Sequence, residues 1–300
     1  MIRTVLPFAL VILLLFSACT AGRFAPADTS RLRVATSFYP VWLLTRAVVG
    51  DTEGVRVTNM APAAAGCLHD YALTMNDLKL LEDADVLILC GGGMESFAEQ
   101  LAASQPNLKL AEASENLTQL PSVTGETEYN AHLWMSTDGA CGMAVNIAHT
   151  LGELDPAYAD VYEKNAVEFS EKLRALRDET AARLKDIPVR DIVIFHESFA
   201  YVAADYDLNV VGVIAKEPNE EPTAQELNTV IAAVKKYGVT ALFADAQYDD
   251  RAAQTIVLEP GAKIVTVHSL VSPGENDLAD FLTLTKANCD VLVRALGGKD

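Results

Sequence analysis

"DPAYADVYEKNAVEFSEKLRALRDETAARLKDIP", residues 155–188, is the stretch that organises the rest of the chain. It has no Gly or Pro between Ala157 and Ile187 and is rich in Ala, Glu, Lys, Leu and Arg. Asp155-Pro156 supplies a cap and a first helical residue, and Pro188 stops the run. One long helix is predicted. At 1.5 Å per residue it would span about 45 Å, enough to run along two lobes as a spine. A stiff connection of this kind restricts hinge motion that a flexible tether would allow.

On both sides of the spine, strand-like and helix-like segments alternate. "LRVATSF" (32–38), "VRVTNM" (55–60) and "DVLILC" (85–90) are short β-branched or apolar runs. Between them lie "PVWLLTRAVVG" and "TMNDLKLLEDA", where Thr74 can cap and Asp77 can close a capping box. After the spine come "DIVIF" (191–195), "NVVGVI" (209–214), "VTALFA" (239–244) and "AKIVTVH" (262–268), with helical segments near 223–237, 249–258 and 277–296. The expected fold class is α/β, with two lobes of mostly parallel sheet covered by helices on both faces and joined by the spine helix. The lobes are expected over 32–154 and 189–300, with the link over 155–188.

The chain of 300 residues is half apolar, enough for a substantial core. Its formal charge of -18 argues against nucleic acid as a partner, because that affinity rests on Lys and Arg contacts to phosphate. The N-terminus reads as an export signal over 1–18: Arg3, an apolar run from Val5 to Phe16, then small residues. That run is shorter than the roughly 20 apolar residues needed to cross a bilayer. Phe16-Ser17-Ala18-Cys19 resembles a bacterial lipobox, which would make Cys19 a lipid-carrying first residue and 19–31 a flexible tether to a membrane. Cys67, Cys90, Cys141 and Cys289 are too few and too widely spaced for a disulfide-built scaffold, and burial is expected for the last three.

Histidines and a carboxylate gather at strand ends. His69 follows "VRVTNM", His196 follows "DIVIF", His268 ends "AKIVTVH" and Asp245 follows "VTALFA"; His132 lies in the turn-rich "EYNAHLWMS". In open α/β sheets, ligands bind outside the carboxyl ends of the strands. His69 and His132 would come from the first lobe and His196 from the second, so imidazoles from both sides would meet in the cleft. Three neutral imidazoles plus a carboxylate or water suit zinc, and a larger oxygen-rich shell would accept manganese or iron. Spacing alone leaves open the alternative of separate, hydrogen-bonded histidines.

"GCLHDYALTMNDLKLLEDADVLI", "YNAHLWMS", "FHESFAYVAADYDL" and "EPTAQELNTVIAAVKKYGVTALFADAQYDDRAAQTIVLEPGAKI" resemble the successive signature blocks of the zinc/manganese substrate-binding lipoproteins of ABC transporters, the cluster A-I family. The resemblance implies a metal between two lobes and delivery to a membrane permease, with no catalysis. It makes His69, His132 and His196 metal ligands, the last being His in zinc-type members and often Glu in manganese-type ones. For the fourth ligand it points near the start of the last helix, to Asp280 first, then Asp277, with Asp245 or water as alternatives. His268 stands where the family often has Asp. "PSVTGETEYN" is short and lacks the histidines that many zinc-type relatives carry before the second ligand. The expected protein is an extracytoplasmic, lipid-anchored monomer that carries zinc, with manganese as the alternative. An exported zinc hydrolase with Glu197 as base, and an adhesin with a structural metal, are the competing readings. Cys67 is read as packing in or ordering its loop, with a thiolate ligand as the lesser alternative; Asp70 and Glu197 as orienting imidazoles or simply solvated; Asp245 as supporting a ligand rather than being one; Trp134 and Phe199 as cleft wall or core, and His149 as structural.

Overall fold

The computed structural model describes residues 30–62, 69, 71–125, 127–215, 222–245, 254, 262–273 and 280–299. The export signal, Cys19, Cys67, Asp70, Asp277 and all of the 249–258 segment except Gln254 lie outside the described residues.

The first lobe runs β1 (Leu32–Thr36), α1 (Tyr39–Val49), β2 (Val55–Asn59), α2 (Met75–Glu82), β3 (Val86–Leu89), α3 (Ala98–Ser104), β4 (Lys109–Glu112) and α4 (Thr137–Leu154). Its sheet is parallel throughout, in the order β2-β1-β3-β4. All four residues of β3 are buried, as expected of a central strand covered on both faces. Thr74 and Asp77 form the capping box that the sequence predicts: the Thr74 hydroxyl accepts from Asp77 N–H and the Asp77 carboxylate accepts from Thr74 N–H.

The spine, α5 (Ala159–Arg183), is shorter than expected. Asp155 does not cap it. Its carboxylate instead accepts a 2.7 Å bond from Arg31 and another of 2.7 Å from the Tyr162 hydroxyl, and the chain makes a 3-10 turn over Pro156–Tyr158 before α5 begins. The Arg31 guanidinium holds the Asp155 carboxyl below its ordinary range. Tyr162, Ala166, Phe169 and Leu173 form a buried stripe at spacings of three and four on an otherwise solvated helix. This stripe packs α5 against α4 and α1.

The second lobe repeats the plan with β5 (Asp191–Ile194), α6 (Ala200–Asp205), β6 (Asn209–Val213), α7 (Ala224–Tyr237), β7 (Ala241–Asp245), β8 (Lys263–Val267) and α8 (Phe281–Leu296). Its parallel sheet has the order β6-β5-β7-β8, the same connectivity as the first lobe. In each lobe the strand order reverses beside the first strand, which opens a crevice at its carboxyl end. Thr223 and Glu226 cap α7, and Gly238 ends it in the left-handed conformation (φ 64°) that glycine adopts without strain. The spine joins α8 through an edge-on contact of Phe169 with Phe281 (5.5 Å between centroids) and a 3.0 Å ion pair of Arg183 with Asp290. One buried apolar cluster extends from β1 and α1 through α4 and α5 to α8, so the lobes share a core.

Candidate metal centre

The three histidines singled out by the sequence come together. His132 precedes a 3-10 turn over Leu133–Met135 and is fully buried. His196 follows β5 and opens a 3-10 turn over Glu197–Phe199; it is 3% exposed. His69 occupies a turn after β2 and is half-buried. The His132 ring sits between the other two, 5.4 Å from His69 and 4.9 Å from His196 by ring centroids, with its neighbours turned edge-on. Trp134 closes the far side of His132 at 5.1 Å and donates its indole N–H across the lobes to the Ser269 carbonyl at 2.9 Å.

Burial sets the charge state of this cluster. It drives the His132 pKa well below the ordinary histidine value, and the neighbouring His196 and His69 rings push it the same way. Burial, aided by His69, lowers His196 to about 4. Both rings are therefore neutral near pH 7, the form in which imidazole offers a lone pair to a metal.

The two rings differ in which nitrogen carries the proton. The Asn130 side-chain oxygen lies 2.8 Å from His132 Nδ1, which leaves Nε2 as the lone-pair atom. In His196, Nδ1 accepts from Ser198 N–H at 3.3 Å, so the ring proton sits on Nε2. For His196 to offer Nε2 to an ion, its proton must move to Nδ1 and the Ser198 contact must break. Among the described residues, no group of three His, Cys, Asp or Glu side chains is already set to hold an ion. What the structure presents is three imidazoles in edge-on contact, the two inner ones neutral.

Asp280 caps the last helix. It is exposed, and its carboxylate accepts from Thr283 N–H at 2.7 Å as the N-cap of α8. An Asp directly before an apolar helical run is itself a capping signal, and that signal was available in the sequence. Among the described residues, Asp245 ends β7, the strand paired with β5. The β5–β7 register pairs Ile194 with Phe243, which carries His196 alongside Asp245 two residues on. Asp245 is buried and accepts from Ser269 N–H at 3.0 Å. His268, at the end of β8, has Nδ1 accepting from Leu270 N–H at 2.8 Å; burial lowers its pKa while Asp245 opposes the shift. Leu270 takes a positive φ of 63°, a strained conformation for a branched side chain, at this same strand end.

Glu197 makes its described side-chain contacts with the first lobe. Its carboxylate accepts from the Ser122 hydroxyl at 2.8 Å and Val123 N–H at 3.2 Å, tying the 119–130 connection of the first lobe to the second. Both acceptor contacts are to one oxygen of a buried side chain, which is a poor disposition for a general base. His149 is on the exposed face of α4 beside Glu153 rather than in a structural contact of the core. Cys90, Cys141 and Cys289 are buried thiols outside any disulfide, and Trp134 and Phe199 belong to the core, as expected.

Comparison with known proteins shows the family and the fold. Residues 34–295 match the family described as zinc-uptake complex component A, periplasmic. The zinc-binding protein AdcA of Streptococcus pyogenes is 25% identical over 288 residues, covering 87% of this chain and 55% of that protein. The chain thus spans about half the length of this relative. The high-affinity zinc uptake system protein ZnuA of Brucella abortus is 27% identical over 268 residues, covering 75% of this chain and 79% of ZnuA. Among solved structures, a Zn(II)-bound variant of AdcAII from Streptococcus pneumoniae superimposes with a TM-score of 0.79 at 28% identity, covering 89% of this chain and 99% of that one.

Proposed function

This chain belongs to the zinc-uptake complex component A family, and on that premise we propose that it captures zinc outside the cytoplasm and presents it to an ABC permease. Its role is binding and delivery, not catalysis. The observation that carries the reading is the meeting of His69, His132 and His196, drawn from both lobes, with the two inner rings buried and neutral. Three imidazoles are suited to zinc, whereas manganese is better served when carboxylate oxygens replace one of them. Three neutral ligands around a divalent ion would leave two positive charges buried, and a carboxylate would halve that. Asp245 is therefore our fourth ligand, with His268 beside it, in place of the helix-capping Asp280.

Export over residues 1–18, lipid on Cys19, a tether over 19–31, lobes over 32–154 and 189–300 about the link 155–188, and a monomeric state complete the proposal. The lipobox-like Phe16-Ser17-Ala18-Cys19 supports the anchor, and mass spectrometry of the mature N-terminus tests it.

The deciding experiment strips the metal from the protein and follows thermal unfolding with zinc, manganese, magnesium or no metal, alongside a His69→Ala, His196→Ala double variant. At 100 times its dissociation constant a ligand stabilises the native state by about 2.7 kcal/mol. The zinc shift should be the largest and should vanish in the double variant. A larger manganese shift would reverse the metal, and no shift with any ion would remove the site.

A further inference from the structure

We propose that Asn130 is a positioning residue that sets the His132 ring for metal binding and locks it to the turn bearing His196. The inference rests on the capture reading above for its consequence, but its geometry stands apart from it.

Asn130 is completely buried, and the polar atoms of its side chain are committed. The Nδ2 group donates to the carbonyl of Glu197 at 2.8 Å. Because a carbonyl can only accept, the amide has one permitted orientation: Nδ2 toward Glu197 and Oδ1 toward His132. Oδ1 lies 3.0 Å from His132 N and 2.8 Å from His132 Nδ1. An amide oxygen can only accept as well, so Nδ1 must carry the ring proton and Nε2 must carry the lone pair. The carbonyl of Glu197, 67 residues away in sequence, thus dictates the tautomer of His132 through a single intervening side chain.

The backbone of Asn130 is held as firmly. Its N–H donates to Leu120 O at 2.8 Å, and its carbonyl accepts from the Tyr201 hydroxyl at 2.7 Å. Tyr201 in turn accepts from Leu120 N–H at 3.0 Å. Glu197 is the residue after His196, so Asn130 bonds to the turn that presents one imidazole while fixing the nitrogen that the other offers. Two ring placements that would otherwise vary independently with the lobes are joined by one amide. Outer partners of this kind typically change metal affinity about 10–100-fold when removed.

The test compares the wild type with Asn130→Ala and Asn130→Asp. Imidazole 15N shifts of the metal-free proteins report the His132 tautomer, and chelator competition reports zinc affinity. The wild type should show the proton on Nδ1. Asn130→Asp keeps an acceptor for that proton and should retain the tautomer. Asn130→Ala should lose it and bind zinc about 10–100-fold more weakly. A wild-type ring protonated on Nε2, or an Asn130→Ala variant with unchanged tautomer and affinity, overturns the proposal. Should Asn130→Ala not fold, the wild-type tautomer decides. If the wild type takes up no zinc, the capture reading fails while the tautomer result still judges Asn130.

Discussion

Acidifying the metal-free protein from pH 7 to pH 5 should unmask the cost of keeping His196 neutral. Its folded pKa is about 4, against an unfolded value near 6.5. At pH 5 the unfolded ring carries almost a full proton and the folded ring about a tenth of one. The unfolded state therefore binds more protons, and stability falls as pH drops from 6.5 toward 4. Integrating this difference between pH 7 and pH 5 gives a loss of about 2 kcal/mol from His196 alone. His132, displaced in the same direction by burial, adds to the loss. Urea unfolding with a chelator present, at both pH values, measures the drop in the wild type and in His196→Gln. The variant should be less acid-sensitive by about 2 kcal/mol. Equal sensitivity in the two proteins would mean that His196 is not a buried neutral ring, and the electrostatic account of the cluster would fall with it.

Other consequences can be checked on the same protein. Trp134→Phe removes the donor to the buried Ser269 carbonyl and should cost about 1–3 kcal/mol in urea unfolding. Thr74→Ala deletes one arm of the α2 capping box and should cost about 1 kcal/mol. Asp245→Asn should weaken zinc binding in chelator competition, whereas Asp280→Asn, which preserves the N-cap acceptor, should leave both affinity and stability unchanged. A loss of affinity in Asp280→Asn with none in Asp245→Asn would return the fourth position to Asp280.

The strands that carry the site were legible because they are central, apolar and followed by chemically distinct residues: His196 ends one run and Asp245 another. β4, "KLAE", was not, since it is a short, half-buried edge strand whose Lys109 and Glu112 interrupt any apolar pattern. The helices Ala98–Ser104 and Ala200–Asp205 escaped notice for a related reason: fewer than two turns leave little periodicity to read. β7 begins at Ala241 rather than Val239 because Val239 N–H is still bonded to Val234 in closing α7. Asp155 looks locally like a cap, but a charged partner 124 residues away, Arg31, claims its carboxylate. The same distance effect hid Asn130 and Glu197, whose roles exist only once the lobes are apposed. His69, His132 and His196 were found because each sits where the chain leaves a strand or enters a turn, a position that local pattern does encode.

Ser122 and Asn130 give the molecule a second fastening between its lobes, besides the spine. A panel fixed along two edges does not swing open, so traffic through it needs a hatch. Of the three rings, only half-buried His69 stands at the rim, on a turn belonging to one lobe. For the capture proposed above, this sets an order: an arriving ion would meet His69 before the two buried rings.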